Sequence, residues 1–252
     1  MTISALLIVG IFFIALILTM VGLGGGLIYS PLLVILGFAK AEAASASLFL
    51  NLIAAASAAY AYSRKKMVDF SLAVPLIVSS SIAAPVGSYF NSRVDTAPFM
   101  ITMSIVMALA GLRMLMPPPQ PSADARISPQ KKIVGGLCIG LCIGLIGGFL
   151  GIGGGIFVVP LLIYVLKTPT KIAAASSTFI VCFSSLTGFL GYAAMESINW
   201  RFILPAAAAS LVGGLAGAKI MSTALKGKAI RIIFSLLLFA LCAKLAHQAL
   251  LQ

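Results

Sequence analysis

The sequence predicts an all-α polytopic membrane protein built from two inverted-topology repeats, and three observations lead to this prediction. Of the 252 residues, 61% are hydrophobic and only 9% are charged, which is too little polar surface for a soluble domain. Apolar runs of about 20 residues recur, and a helix of that length crosses the ~30 Å hydrocarbon core of a bilayer. The two halves also carry the same motif in the same order, which indicates an internal duplication.

Each half begins with an apolar segment that glycines interrupt and continues with three uninterrupted apolar segments. A transmembrane β-barrel would show short alternating segments instead, so we expect helices. The first repeat covers 1–116, a proline-rich basic linker covers 117–132, and the second repeat covers 133–252. The apolar segments are 3–37, 43–62, 70–90 and 97–116 in the first half, and 133–166, 172–193, 202–221 and 229–251 in the second.

A shared glycine motif locates the duplication. A shift of 129 residues aligns GLGGGLIYSPLLVIL (22–36) with GIGGGIFVVPLLIYV (151–165), and seven of the fifteen pairs are identical. A shift of 130 residues then aligns Ser47 with Ser177 further along the chain. Chance matches are common in apolar sequence, but a GGGxxxxPLL run at the same place in each half indicates a repeat.

The basic residues predict that the two repeats have opposite orientations in the membrane. In the first half they gather at 64–66, after the second segment, whereas in the second half they gather at 219–231, after the third segment. Short loops rich in Lys and Arg stay cytoplasmic, so equivalent loops of the two repeats lie on opposite sides. We therefore expect both basic loops and the linker 117–132 in the cytoplasm, and the chain in the bacterial cytoplasmic (inner) membrane.

Inversion requires each repeat to cross the membrane an odd number of times. Three full crossings and one segment that enters and returns satisfy this condition, so we expect 3–37 and 133–166 to be re-entrant or V-shaped. Each has about 34 residues, or ~50 Å as helix, which is too long for one crossing and too short for two. The glycines are the expected turning points.

The two glycine turns together form a candidate anion site. Non-helical backbone at membrane depth is stable only when it is buried in protein or lines a cavity, and the helix that follows offers free N–H groups with about half a positive charge. Two such turns meeting near the midplane would suit an anion. Close helix packing is the alternative role of glycine in membrane helices. The assigned residues are Gly24, Gly25, Gly26, Gly153, Gly154 and Gly155, with Pro31 and Pro160 as structural hinge residues.

Neutral polar residues accompany the glycines. Ser47 and Asn51 lie in the second segment, and Ser177 and Thr178 lie in its counterpart. Their hydroxyl and amide groups can donate hydrogen bonds to an oxyanion, although Ser and Thr in membrane helices also bond their own helix carbonyls. Asn51 is the strongest individual candidate because an apolar segment gives an amide little else to do.

The ionisable residues favour an anion as substrate. All five acidic residues fall at segment ends or in loops, so no carboxylate lies mid-membrane to neutralise a cation or relay a proton. The net charge of +12 comes from residues between apolar runs, where it sets topology rather than binding nucleic acid. The sequence shows no nucleophile–base pair, metal-ligand cluster or nucleotide-binding P-loop. We therefore expect no enzyme activity, no metal and no cofactor.

The repeated GxGGGxxxxPLL pattern, with an Ala/Ser-rich segment after each copy (AEAASASLFLN and TKIAAASSTF), resembles the TauE/SafE family of sulfite and organosulfonate exporters. The resemblance covers essentially the whole chain. It implies export of a small sulfur-containing oxyanion, such as sulfite, sulfoacetate or a related sulfonate, from a bacterial cytoplasm. Residue by residue, it points to Gly24–Gly26 with Pro31 and to Gly153–Gly155 with Pro160.

The expected mechanism is alternating access, in which one repeat rocks against the other. The alternatives are a channel-like or uptake transporter for another anion or for a metal ion such as nickel, and a non-transporting membrane scaffold. The expected partners are a small anionic substrate and the lipid bilayer. A monomer and a homodimer both agree with the sequence.

Overall fold

The computed structural model describes residues 5–91, 104–105, 108–109, 111–117, 129–150, 155–193 and 200–250. This part of the chain is helical and contains no β-strand, which confirms the predicted all-α class. A short helical stretch covers 111–115, within the predicted segment 97–116, half of which lies outside the described residues. The longer helices are α1 (Ala5–Met20), α2 (Gly26–Ile35), α3 (Lys40–Arg64), α4 (Phe70–Asn91), α5 (Pro129–Leu150), α6 (Gly155–Tyr164), α7 (Thr170–Ala193), α8 (Trp200–Thr223) and α9 (Gly227–Leu250).

Four of these helices, α3, α4, α7 and α8, are long and apolar enough to cross a membrane. Large apolar side chains also cover the outer faces of the bundle, as at Leu6, Ile82 and Leu236, where a soluble protein would carry polar residues. The chain is therefore a multi-pass membrane protein, as predicted. The four spans are Ala41–Arg64, Phe70–Phe90, Thr170–Ala193 and Ile203–Thr223.

Both glycine-interrupted segments consist of a longer helix followed by a ten-residue helix. In the first segment, α1 ends at Met20 and α2 begins at Gly26. In the second, α5 ends at Leu150 and α6 begins at Gly155, the residue that the 129-residue shift pairs with Gly26. Pro31 and Pro160 each occupy the sixth position of the short helix. Gly153 and Gly154, two assigned site residues, lie outside the described residues.

The first break begins with a Schellman motif at the end of α1. The Leu23 N–H donates to the Leu18 carbonyl at 2.9 Å, and the Gly22 N–H donates to the Thr19 carbonyl at 3.2 Å. Gly22 has φ +88° and Gly24 has φ +82°, left-handed conformations that glycine adopts without steric cost. The glycines therefore end α1 and redirect the chain into α2.

Helices α3 and α7 pack against each other at the centre of the bundle. Helix α4 packs against α5 and α7, while α8 packs against α1 and α3. The short helices α2 and α6 lie against α3 and α7, respectively. Small residues permit the close approach: a Cβ built on Gly144 of α5 would lie only 2.7 Å from the Cα of Ser80 on α4.

The two basic loops predicted to be cytoplasmic lie at the same end of the molecule. Lys65, just after α3, donates through Nζ to Ser222 Oγ near the end of α8 at 2.7 Å. Lys171, at the start of α7, donates to the carbonyl of the same serine at 3.5 Å. We call the region that contains Lys65, Lys171, Ser222 and the start of α9 the basic end.

Candidate functional site

The candidate site lies where the two glycine-broken segments touch. Leu23, in the first break, is buried, and Gly155 is the first residue of α6. A Cβ built on Gly155 would lie 3.1 Å from the Leu23 carbonyl oxygen and 3.2 Å from its Cα. The backbone of the first break therefore lies directly beside the N-terminal end of the second short helix.

The central helices cover this contact from both sides. A Cβ built on Gly24 would collide with the side-chain amide of Asn51 on α3 and would lie 3.4 Å from Cγ1 of Val181 on α7. The other methyl group of Val181, Cγ2, would lie 3.0 Å from a Cβ on Gly155. Asn51 and Val181 thus face the glycine backbone from opposite repeats. Gly24 leaves room for the Asn51 amide because it has no side chain.

Asn51 forms a hydrogen bond across the centre of the bundle. Its Nδ2 donates to Ser185 Oγ on α7 at 2.8 Å, and both residues are fully buried. Asn51 is the twelfth of the 25 residues of α3, so it lies near the middle of a full-length membrane helix. A polar bond at this depth is strengthened by the low dielectric around it. Ser185 was not assigned to the site from the sequence.

Two serines hold the backbone of the first break. Ser177 Oγ on α7 donates to the Gly22 carbonyl at 2.7 Å. Ser47 Oγ on α3 donates to the Gly26 carbonyl at 3.0 Å. Both hydroxyls therefore bind backbone oxygens at the two ends of the break and tie it to the central helices α3 and α7.

The remaining assigned residues have local contacts. Thr178 Oγ1 donates to the Ala174 carbonyl on its own helix at 2.9 Å, the alternative role for hydroxyls in membrane helices. Gly25 lies against the ring of Tyr29, since a Cβ there would lie 2.9 Å from Cζ. The Tyr29 hydroxyl in turn bonds the Ile11 carbonyl at 3.1 Å and Ser210 Oγ at 3.0 Å.

A pair of buried tyrosines supports both broken segments and was missed by the sequence reasoning. The Tyr62 hydroxyl on α3 donates to the Thr19 carbonyl in the last turn of α1 at 2.9 Å. The Tyr192 hydroxyl on α7 donates to the Gly148 carbonyl in the last turn of α5 at 3.4 Å. A shift of 130 residues aligns Tyr62 with Tyr192, and 129 aligns Thr19 with Gly148. The alignment of the two halves could therefore have identified both tyrosines as equivalent residues.

The chemistry of the site is that of neutral hydrogen-bond donors. The first N–H groups of α2 and α6 have no helical acceptors and carry partial positive charge. The polar side chains in contact with the break are those of Ser47, Asn51 and Ser177, and all three are neutral. Because both serine hydroxyls already donate to backbone carbonyls, the donors that can stabilise negative charge on an oxyanion here are the backbone N–H groups. Among the described residues, no group of three His, Cys, Asp or Glu side chains could hold a metal ion.

Comparison with known proteins identifies similar sequences over nearly the whole chain. The family model described as "Sulfite exporter TauE/SafE" matches residues 6–245. The chain is 24% identical to the probable membrane transporter protein YunE of Bacillus subtilis, over 91% of this chain and 92% of that protein. Probable membrane transporter proteins from two strains of Xylella fastidiosa are 28% identical, over 79% of this chain and 76% of each relative. No solved structure matches the chain.

Proposed function

We propose that this chain, which belongs to the sulfite exporter TauE/SafE family, exports a small sulfur-containing oxyanion such as sulfite, sulfoacetate or a related sulfonate. The family and the relatives support a membrane transporter rather than an enzyme. The observation that carries the choice of an anion is the contact of the first glycine break with the N-terminal end of α6, at Leu23 and Gly155. The donor groups at this contact are neutral and suit an anionic substrate.

In the proposed site, backbone N–H groups bind the head group of the substrate. The turns Gly24–Gly26 and Gly153–Gly155 provide these N–H groups, and the sulfonate or sulfite oxygens accept from them. Ser47 bonds the Gly26 carbonyl at 3.0 Å and Ser177 bonds the Gly22 carbonyl at 2.7 Å, so the two serines position the backbone on both sides of the first turn. The Asn51 amide presents its Oδ1 oxygen to Gly24, while its Nδ2 donates to Ser185 Oγ and holds the amide in place.

The packing of the helices supports two structurally equivalent repeats. Exchanging the halves exchanges α1 with α5, α2 with α6, α3 with α7, and α4 with α8. Under this exchange the α4–α5 contact becomes α8–α1, the α4–α7 contact becomes α8–α3, and the α2–α3 contact becomes α6–α7. Every one of these contacts is present, as expected for repeats 1–116 and 133–252 joined by a linker at 117–132.

The basic end supports opposite orientations of the repeats. The loop after α3 and the loop after α8 lie together, because Lys65 bonds Ser222. Helix α4 carries the chain away from this end, so its last residue, Asn91, lies at the other end. The ends of α4 and α8 are equivalent in the proposed repeats and therefore face opposite sides. With the basic end in the cytoplasm, the protein has the expected orientation in the bacterial inner membrane.

Alternating access between the repeats requires no dedicated coupling residue for export. A membrane potential that is negative inside drives an anion outward by about 2.3 kcal/mol per charge per 100 mV. The positive basic end raises the local anion concentration where the substrate would enter. In this mechanism the two repeats rock about the contact between the glycine breaks.

Efflux from proteoliposomes tests the proposed substrate class. Vesicles loaded with sulfite or sulfoacetate should release the anion in a saturable manner, faster than empty-membrane controls. Gly24→Val should abolish release, because its side chain would displace Asn51, whereas Gly10→Val should retain it, because a Cβ at Gly10 meets no atom within 4 Å. Sulfur oxyanion release no faster than through protein-free vesicles would contradict the proposal. Uptake of Ni²⁺ instead would favour the metal alternative.

Cysteine labelling tests the orientation separately. In a background without the native cysteines, Lys66→Cys and Lys226→Cys should both react with a membrane-impermeant reagent only from the cytoplasmic side. Glu196→Cys, in the loop equivalent to that after α3, should react only from the periplasmic side. Labelling of residues 66 and 196 from one side would rule out inverted repeats.

A further inference from the structure

Two arginines and a tyrosine form a cluster away from the glycine breaks. The guanidinium carbon of Arg113 lies 3.8 Å from the centroid of the Tyr164 ring. Tyr164, the last residue of α6, donates its hydroxyl to the Met116 carbonyl at 3.1 Å. Arg231, in α9, donates through Nη1 to the same carbonyl oxygen at 3.4 Å. Two guanidinium groups therefore converge on one tyrosine where the linker begins.

One nitrogen donor of this cluster has no hydrogen-bond acceptor in the part of the chain that the structure describes. The Nε of Arg231 is buried and has no hydrogen-bond partner among the described residues. An arginine carries five N–H donors in a planar fork, and this geometry matches two oxygens of a phosphate or sulfonate group. Arg113 and Arg231 also place two like charges beside one tyrosine, which a nearby anion would balance, so the cluster indicates an anionic ligand.

The neighbours of the cluster indicate that this ligand comes from the bilayer. Leu112 and Leu115 flank Arg113 and are 56% and 51% exposed, and Val165, next to Tyr164, is 53% exposed. In a membrane protein such apolar side chains face lipid acyl chains. The guanidinium groups therefore lie next to apolar side chains that face the lipid.

We propose that Arg113 and Arg231 bind the phosphate of an anionic phospholipid in the cytoplasmic leaflet. Basic sites between helices on this side of a membrane recognise such headgroups. The exposed leucines and valine hold the acyl chains, while the arginine forks bind the phosphate. Because Tyr164 ends α6, the bound lipid holds the C-terminal end of the helix whose N-terminal end lies in the candidate anion site. The lipid site does not depend on which substrate is transported.

Native mass spectrometry of the full-length protein tests this site. The protein in detergent is titrated with phosphatidylglycerol, and the fraction carrying bound lipid gives the affinity. We expect Arg113→Gln/Arg231→Gln to bind phosphatidylglycerol about tenfold more weakly than the wild type, since two phosphate contacts are lost. The matched control is Lys219→Gln, which removes one exposed charge at the basic end outside the cluster and should change binding little.

Two further titrations distinguish a lipid site from a site for a free oxyanion. Phosphatidylcholine should bind weakly to the wild type and the double variant alike, and glycerol phosphate should not compete with phosphatidylglycerol at equal concentration. Competition by glycerol phosphate would assign the cluster to a free oxyanion and overturn the lipid proposal. Equal phosphatidylglycerol binding by wild type and double variant would also overturn it. Arg231→Lys keeps the charge without the planar fork and should show an intermediate affinity, which provides the test if the double variant is unstable.

Discussion

The centres of α3 and α7 occupy equivalent places in the two repeats but carry different side chains. The 130-residue shift pairs Asn51 of α3 with Val181 of α7, and both face the glycine backbone. The same shift pairs Ala55 with Ser185, the serine that accepts the Asn51 hydrogen bond. Each repeat therefore contributes one polar and one apolar residue to this pair of positions. The two central helices therefore lie alike against the glycine backbone, while the polar groups at their centres are divided between them.

The residues that support the broken segments differ less than the residues that face them. Ser47 and Ser177 occupy equivalent positions and both bond carbonyls of the first break. Tyr62 and Tyr192 are also equivalent, and each bonds the last turn of the helix before a break. We therefore expect the serines and tyrosines of both helices to hold the broken segments in place. Substrate recognition, in contrast, is expected to depend on Asn51 and Val181, which differ.

The largest effect is expected from closing the space beside the first break. Gly22→Ala places a Cβ 2.6 Å from the Ala174 carbonyl oxygen and keeps a left-handed φ of +88°, so we expect a loss of about 3 kcal/mol. Gly155→Ala, whose closest contact is 3.0 Å from a valine methyl, should cost less. The midpoint of thermal unfolding in detergent measures both.

Gly10→Ala is the matched control for these substitutions. A Cβ there meets no atom within 4 Å, and alanine is the better helix former, so the unfolding midpoint should stay the same or rise slightly. If Gly22→Ala unfolded at the same temperature as Gly10→Ala, the close contact between the first break and α7 would be wrong.

A smaller effect is expected from making the central helices alike. Asn51→Val gives α3 the residue of α7 and removes the donor to Ser185, and Ser185→Ala gives α7 the residue of α3. Each should lower the free energy of unfolding by about 1–2 kcal/mol, with the pair coupled by about 1 kcal/mol in a double-mutant cycle. Additive effects would show that the bond at 2.8 Å does not join the repeats. Val181→Asn keeps the bond between Asn51 and Ser185 but adds an amide to α7. A changed transport rate in this variant would therefore report the loss of asymmetry rather than the loss of the bond.

The smallest effects are expected from the tyrosine hydroxyls. Tyr62→Phe and Tyr192→Phe each remove one hydrogen bond to the end of a helix and should cost about 1 kcal/mol. Tyr62→Phe should cost more, because its bond to Thr19 is 2.9 Å long and that of Tyr192 to Gly148 is 3.4 Å. Chemical or thermal unfolding of the two variants side by side measures the difference. A larger cost at Tyr192 would contradict the geometry.

The helices and the first break were predictable from local signals. Apolar runs of membrane length marked the spans, and the glycines marked the end of α1, where Gly22 adopts the positive φ of a Schellman motif. Helix boundaries were less predictable: α5 begins at Pro129, inside the predicted linker, because proline is well tolerated in the first turn of a helix.

Contacts between distant parts of the chain were not predictable in the same way. Asn51 was singled out as an amide in an apolar segment, but its partner Ser185 lies 134 residues away and depends on how α3 packs on α7. Thr178 carries a hydroxyl, as the preceding Ser177 does, yet its hydroxyl donates to the Ala174 carbonyl of the same helix. Only helix packing decides which hydroxyl reaches the break.

Thermal unfolding of the purified protein with a panel of ligands tests the central claim most directly. The panel contains sulfite, sulfoacetate, taurine, sulfate, acetate and Ni²⁺, and a ligand at a hundred times its Kd stabilises the native state by about 2.7 kcal/mol. We predict that sulfite or a sulfonate raises the unfolding midpoint of the wild type and of Gly10→Ala, but not that of Gly24→Ala. Stabilisation by Ni²⁺ alone, or an equal sulfite shift in Gly24→Ala, would contradict an anion site at the contact between the first glycine break and the start of α6.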